Sequence, residues 1–212
     1  MIKLSKILNE GKNELTFGKP TEKHTKKMNR SFGVFEGFNM TNLYNIPPSP
    51  NSSSETLEEL FELDKIKPNP DFVRKADNIA EYFIERTSDL DIKKDLKTFI
   101  ESVIHDSGPI ILRLKYHYNR PRPIQVAKMQ GLKFHHQPLE SAMSPSYPSG
   151  HTAQSYLLAY MLSDIYNKYK NRFFKIAEEI SVSRNVARQH FLSDSEFGKK
   201  IGHELWRHYE TK

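Results

Sequence analysis

The sequence predicts an all-α protein, and three observations carry that prediction. Apolar residues recur at steps of three and four through most of the chain beyond residue 54. No stretch alternates polar and apolar residues with the period of a strand. Helix-starting residues stand just ahead of the periodic segments, as Asn69-Pro70 does. The 212 residues are enough for one domain with a buried core.

Taken in order, residues 1–10 place Ile2, Leu4, Ile7 and Leu8 on one side of a short helix. Residues 11–46 are polar, punctuated by Gly and without period. The stretch NIPPSPNSSSE at 45–55 is a loop, and Ser54 is the cap expected for a helix with Leu57, Leu60 and Phe61 inward. NPDFVRKADNIAEYFIERTSDL at 69–90 predicts one helix, with Phe72, Ala76, Ile79 and Phe83 on a face. Another follows over 91–107, carrying Leu96, Phe99, Ile100, Val103 and Ile104. Gly108-Pro109 is expected to break or kink it before it resumes over 110–119. Pro121 and Pro123 bias their predecessors away from the helical region, so the chain leaves the helix there. Residues 124–148 read mostly as loop, and helices follow at about 150–169, 171–191 and 194–210, the last with a Ser193/Glu196 capping box. Trp206 is expected to pack that last helix, and His117, His135 and His136 to lie in loops or at the surface.

Composition narrows the function classes. With no Cys, disulfides and thiolate chemistry are excluded. A net charge of +6 and a pI near 9.3 favour anionic partners: phosphorylated metabolites, an acidic membrane face or nucleic acid. The Lys residues are scattered and no aromatic-basic nucleic-acid module is visible, which sets nucleic acid last. No window approaches the roughly 20 apolar residues of a membrane span, and the N-terminus has no apolar signal-like run, so no integral membrane segment and a cytoplasmic location are expected.

Several polar residues interrupt the apolar pattern. The helix at 171–191 runs Phe173, Ala177, Ile180, Arg184, Ala187, Phe191, which puts a guanidinium in the middle of an apolar face. That is costly unless an anion pairs with it, either an internal carboxylate or a bound oxyanion. Lys115 shares a face with Ile111 and Tyr118 and either snorkels to solvent or joins such a site. Arg122 is held between two prolines. Ser149-Gly150-His151 stands where a helix begins: unpaired amides and a positive dipole end favour an anion, Gly150 permits close approach, and Ser149 can cap the helix or donate to a phosphate oxygen. His190 ends the Arg184 helix. Asp194, four residues on, faces inward, where it can fix the imidazole tautomer or compensate the helix dipole.

These residues fall into three blocks. KYHYNRPRP holds Lys115, six residues, then Arg122-Pro123; PSGH runs from Pro148 to His151; SRNVARQHFLSD holds Ser183-Arg184, five residues, His190, three residues, Asp194. This resembles the three-part signature of the phosphatidic acid phosphatase type 2 (PAP2) superfamily, which includes soluble bacterial class A non-specific acid phosphatases, lipid phosphatases and vanadium haloperoxidases. All eleven signature positions are filled in order. The last block alone would arise by chance in about one chain per thousand. The Pro-Pro and Ser-rich stretch at 46–54 is also similar to the segment before the first core helix of class A enzymes. Class A enzymes are typically periplasmic, so the expected cytoplasmic location is a departure.

The resemblance implies a helical bundle with its site at one end of the core helices, formed by residues 45–212, with 1–44 as an N-terminal extension. That extension is open to three roles: covering the site, self-association into a homo-oligomer, or disorder. The resemblance further implies a small phosphorylated substrate and no metal or other cofactor. His190 would be the nucleophile, oriented by Asp194, and His151 the general acid and base. Lys115, Arg122, Ser149, Gly150 and Arg184 would hold the phosphoryl oxygens. Two alternatives stand beside phosphomonoester hydrolysis. In one, vanadate on His190 serves haloperoxidase chemistry, whereas for a phosphatase it would be an inhibitor. The other is a basic nucleic-acid-binding protein.

Overall fold

The computed structural model describes residues 15–92 and 95–212, so the helix expected over 1–10 lies outside the described residues. The fold is all-α. Helix α1 spans Glu22–Met28, α2 Ser54–Lys65, α3 Pro70–Ala76, α4 Ile79–Arg86 and α5 Leu96–Tyr118; α6 spans Pro123–Met129, α7 Gly150–Ile165, α8 Lys170–Val186 and α9 Leu192–Glu210. No helix is long and apolar enough to cross a membrane among the described residues.

The centre of the bundle is α7, whose Ala153, Leu157, Leu158 and Leu162 are fully buried. Helix α8 packs on one side of it through Phe173, Ile176, Ala177 and Ile180, and α9 on another through Phe197, Ile201 and Leu205. Gly198 and Gly202 bring the α9 backbone close to α7. A Cβ at Gly198 would stand 2.7 Å from the Ser149 carbonyl oxygen, and one at Gly202 2.6 Å from that of Ala153. Trp206 stacks on Tyr160 of α7 with ring centroids 4.8 Å apart, the packing expected for it. A second, smaller apolar cluster joins Leu60 and Leu63 of α2 to Val126, Ala127 and Phe191.

The helix boundaries differ from the sequence reading in several places, each for an identifiable reason. Ser53, not Ser54, caps α2, accepting from the Thr56 amide at 3.3 Å. That register buries Leu60 and Leu63 and leaves Phe61 54% exposed, not inward as expected. The single helix expected over 69–90 is two, because Asn78 accepts from the Glu81 amide at 3.2 Å and starts α4 afresh. Gly108-Pro109 does not break α5. Proline removes the hydrogen bond to the carbonyl four residues back, that of His105; Arg30 Nη2 donates to that carbonyl instead, at 3.3 Å. Residues 123–129, expected as loop, form α6, with Pro123 in the first turn where its missing N–H costs nothing. Helix α8 stops at Val186 rather than 191, because Arg188 takes a left-handed conformation (φ 54°). Its guanidinium is held there by the carbonyls of His135 and Asp64, at 3.0 and 2.7 Å.

Residues 15–44, aperiodic in sequence, lie on the bundle. Phe32, Phe35 and Leu43 join the main core, and the Phe17 amide donates to the Asn119 carbonyl at 2.9 Å. Helix α1 lies along α5, with Arg113 Nε donating to the Met28 carbonyl at 2.7 Å.

Because the nearest atoms to a Cβ at Gly202 are α7 backbone, which cannot rotate away, Gly202→Ala is expected to destabilise the protein by about 1–3 kcal/mol. Thermal unfolding should show the transition several degrees lower; an unchanged transition would mean that α7 and α9 can part without cost.

Candidate active site

The ends of five helices meet at one pole of the bundle. Lys115 comes from the last turn of α5, Arg122 from the residue before α6, and Ser149, Gly150 and His151 from the start of α7. Arg184 comes from the last turn of α8, His190 from the α8–α9 turn and Asp194 from the first turn of α9. A cavity of about 310 Å³ opens there, lined by Lys115, Arg122, Gly150, His151 and His190 among others. Ser149, Arg184 and Asp194 do not line it and stand behind those residues.

Asp194 is fully buried, and its carboxylate organises the floor. Its Oδ1 accepts from Arg120 Nη1 at 2.7 Å. Its Oδ2 accepts from the Ser146 hydroxyl, from His190 Nδ1 at 3.2 Å and from the Phe191 amide at 2.9 Å. Burial works against the charge, but the Arg120 guanidinium and the His190 and Ser146 hydrogen bonds outweigh it and hold the pKa well below the carboxylate range. Asp194 therefore receives the Nδ1–H of His190, which leaves Nε2 with its lone pair. That lone pair accepts from Arg122 Nη1 at 2.9 Å. Burial first, and then the Arg122 charge, push the His190 pKa well below that of a free imidazole, so the ring is neutral.

The cations are held rigidly by main-chain oxygens. Arg122 donates to the Ser144 carbonyl through Nε and Nη2, at 2.9 and 2.7 Å, and to the Gln189 carbonyl through Nη1 at 2.9 Å. Its pKa is lowered by burial to about 10, so it stays charged at neutral pH. Lys115 does not snorkel: it is 5% exposed and donates to the Pro145 and Ser146 carbonyls at 2.6 and 3.4 Å. Burial, then repulsion from Arg122, lower its pKa well below the ordinary lysine value. Arg184, 1% exposed, pairs with the internal carboxylate of Asp77 through Nη1 at 2.6 Å. Its Nη2 is buried and has no hydrogen-bond partner among the described residues. Of the two partners considered for a buried guanidinium, the structure shows the internal carboxylate.

Ser149 caps α7, accepting from the Thr152 amide at 3.4 Å, and its own amide donates to the Asp194 carbonyl at 2.9 Å. Gly150 then lines the cavity with the first amides of α7, which have no helical partner. His151 Nε2 lies 2.9 Å from the Asp77 carbonyl oxygen and 3.5 Å from its carboxylate. Nε2 therefore carries the proton, and Nδ1 is the nitrogen free to take another. Burial, then the Arg184 charge, lower the His151 pKa to about 3. The donors present an array suited to a tetrahedral oxyanion. Among the described residues no group of three or more His, Asp or Glu is placed to hold a metal ion.

Sequence reasoning missed two supporting residues. Asp77 ends α3 and is shared by Arg184, His151 and Ser141, the last donating at 2.6 Å. The available signal was Asn78 with Glu81 three residues on, a helix-start pattern inside an apparently continuous helix. Arg120 links Glu59 of α2 to Asp194 while its guanidinium lies 3.8 Å over the Phe191 ring. Nothing local distinguishes it from its neighbour Arg122. The Ser193/Glu196 capping box does not form. Asp194 accepts from the Phe191 amide in its place, and Ser193 donates to Glu59 at 2.8 Å.

Arg120→Ala would leave Asp194 and Glu59 facing each other without a cation, and a loss of about 3–5 kcal/mol is expected in denaturant unfolding. A loss under about 1 kcal/mol, the range of a surface pair, would show that Asp194 does not depend on Arg120.

The profile of the PAP2 superfamily matches residues 98–207, which contain all three motif blocks. No curated protein matches the sequence significantly. Among solved structures, a bacterial vanadium-dependent iodoperoxidase superposes with a TM-score of 0.58 at 17% identity, over 80% of this chain and 52% of that one. The chain thus spans about half the length of that enzyme, and the likeness is one of fold. With the profile covering more than half of its residues and the bundle carrying the motif blocks to one pole, the chain belongs to the PAP2 superfamily.

Proposed function

We propose that the protein hydrolyses phosphomonoesters without a metal, through a phosphohistidine at His190. The observation that carries this reading is the state of His190: neutral, with Nδ1–H on Asp194 and the Nε2 lone pair beside Arg122 at the cavity wall. Such a nitrogen is a nucleophile already in its reactive tautomer. The phosphoryl oxygens would be met by Lys115, Arg122 and the α7 amides at Gly150, while Arg184, which does not line the cavity, would add its charge from behind that wall. These donors are fixed before substrate arrives, which is where phosphoryl transfer takes most of its catalysis. Each cation is expected to be worth about 2–4 kcal/mol of barrier.

In the first step Nε2 bonds to phosphorus as the ester P–O bond breaks, and His151 Nδ1–H gives its proton to the leaving alkoxide. In the second, His151, now neutral, takes a proton from water as the water oxygen attacks phosphorus and the P–N bond breaks. Phosphate is released and His190 returns to its starting tautomer. Asp77 and Asp194 hold the two rings and do not touch the reacting atoms.

The same donors fit vanadate, a tetrahedral oxyanion of like charge. Lys115, Arg122, Arg184, Gly150 and His190 would hold it, and it would supply activation of peroxide toward halide. Halide oxidation that needs both added vanadate and peroxide, with no phosphate release from an aryl phosphate, would select that reading over hydrolysis.

His190→Ala is expected to lower turnover of an aryl phosphate by at least about 10⁴-fold, and His151→Ala by roughly 10²–10⁴-fold for alkyl esters. Acid-labile phosphate should be trapped on wild type and not on His190→Ala. Retained turnover in His190→Ala removes the phosphohistidine. A second prediction follows from His151, whose pKa burial and then the Arg184 charge lower from 6.5 to about 3. A dianion there stabilises the imidazolium and raises that pKa, so binding takes up protons and strengthens as pH falls through the window between the free and bound values. Sulfate, which does not itself titrate there, should show proton uptake by calorimetry at about pH 5, and His151→Ala should abolish it. Uptake that persists in His151→Ala places the proton elsewhere.

A further inference from the structure

The cavity extends beyond the oxyanion pole, and its far wall is α1, which contributes Lys23, His24 and Lys27. Three contacts seat the helix and its end on α5: His24 Nδ1 with the Tyr116 hydroxyl at 2.7 Å, Met28 with Arg113, and Arg30 with the His105 carbonyl. Lys23 and Lys27 are one turn apart and share the face turned to the cavity. Lys26, on the other face, has an acidic partner in Glu22. Neither Lys23 nor Lys27 forms an ion pair among the described residues, and no Asp or Glu lines the cavity. Burial, then the charges of Arg30 and Lys23, lower the Lys27 pKa, with no carboxylate acting the other way.

The spacing along α5 sets the distance between the two charged ends. Lys27 lies over Gly108, its Cε 2.7 Å from where a Cβ would be. Gly108 is seven residues from Lys115, a rise of about 10 Å along the helix. Ile111 and Leu112 line the cavity between them. The geometry is two cationic ends with the Ile111 and Leu112 side chains between them.

We propose that Lys23 and Lys27 form a second anion subsite, and that the preferred substrate carries a second phosphoryl group separated from the scissile one by a short carbon skeleton, as in a sugar bisphosphate. This rests on the phosphomonoesterase reading for the identity of the scissile group. The scissile phosphate sits on Lys115 and Arg122, the carbon chain crosses Ile111 and Leu112, and the far phosphate meets Lys23 and Lys27. Neither lysine reaches the reacting atoms, so they select substrate without taking part in bond breaking.

The test measures binding of non-hydrolysable alkyl bisphosphonates of increasing chain length, and of an alkyl monophosphonate, by calorimetry. Wild type is expected to bind one intermediate length about tenfold or more tighter than the monophosphonate. In the double variant Lys23→Gln/Lys27→Gln that gap should shrink to about threefold or less, with monophosphonate affinity and aryl phosphate turnover within about twofold of wild type. Lys26→Gln, one residue away and facing outward, should leave the gap intact. No gap in wild type, a gap untouched in the double variant, or an equal loss in Lys26→Gln overturns the subsite. If aryl phosphate is not turned over while the gap behaves as expected, the hydrolase reading falls and the second anion subsite stands.

Discussion

The enclosed carboxylate of Asp194 gathers donors from distant parts of the chain: Arg120 after α5, Ser146 ahead of α7, and His190 and the Phe191 amide between α8 and α9. A charge in that position is tolerable only while every donor is present, since burial alone would drive it to its neutral form. Once satisfied, it fixes the tautomer of His190, orients the loop that leads into α7 and starts α9. The Ser149 amide, bonded to the Asp194 main-chain oxygen, ties the α7 N-terminus to the same residue. The close approach of α9 to α7 at Gly198 makes that bond reachable.

Around this point the bundle concentrates positive charge that it does not internally neutralise. Arg122 and Lys115 rest on main-chain carbonyls, and Arg184 shares Asp77 with His151 while keeping one nitrogen without a partner. Burial lowers the proton affinity of Lys115, Arg122 and both imidazoles, and neighbouring cations lower it further: Arg122 acts on Lys115 and His190, Arg184 on Arg122 and His151. In the proposed reading a dianion would offset this repulsion. In the proposed phosphatase, affinity for phosphate and readiness for chemistry would have one origin, a set of dipoles and charges positioned before the substrate enters. Helix α1 continues the same logic outward, placing Lys23 and Lys27, which form no ion pair among the described residues, along the cavity.

Much of the pole was readable from residue types. Arg184 and Lys115 stood out because a cation in an apolar stripe demands a reason. His190 and Asp194 stood out because their spacing permits a ring-to-carboxylate bond. Asp77 and Arg120 did not, although the structure places them directly behind those groups. Asp77 sits in what looks like the middle of one helix, and Arg120 beside a second arginine in a proline-rich turn. Their partners lie 107 and 74 residues away. Likewise Gly108-Pro109 carries every local sign of a break. It stays helical because Arg30, from an aperiodic segment, supplies the missing donor to the His105 carbonyl.

The sequence by itself determined the helical class, most of the helices with their caps, and the kinds of chemical group available, because these follow from a period of 3.6 residues and from interactions spanning three or four positions. Tertiary structure alone decided which cation meets which anion, which imidazole nitrogen is left with a lone pair, and that α1 walls the cavity. Those outcomes depend on burial and on contacts between residues far apart in the chain, and a proton's preference is set by everything packed around it rather than by its neighbours in sequence.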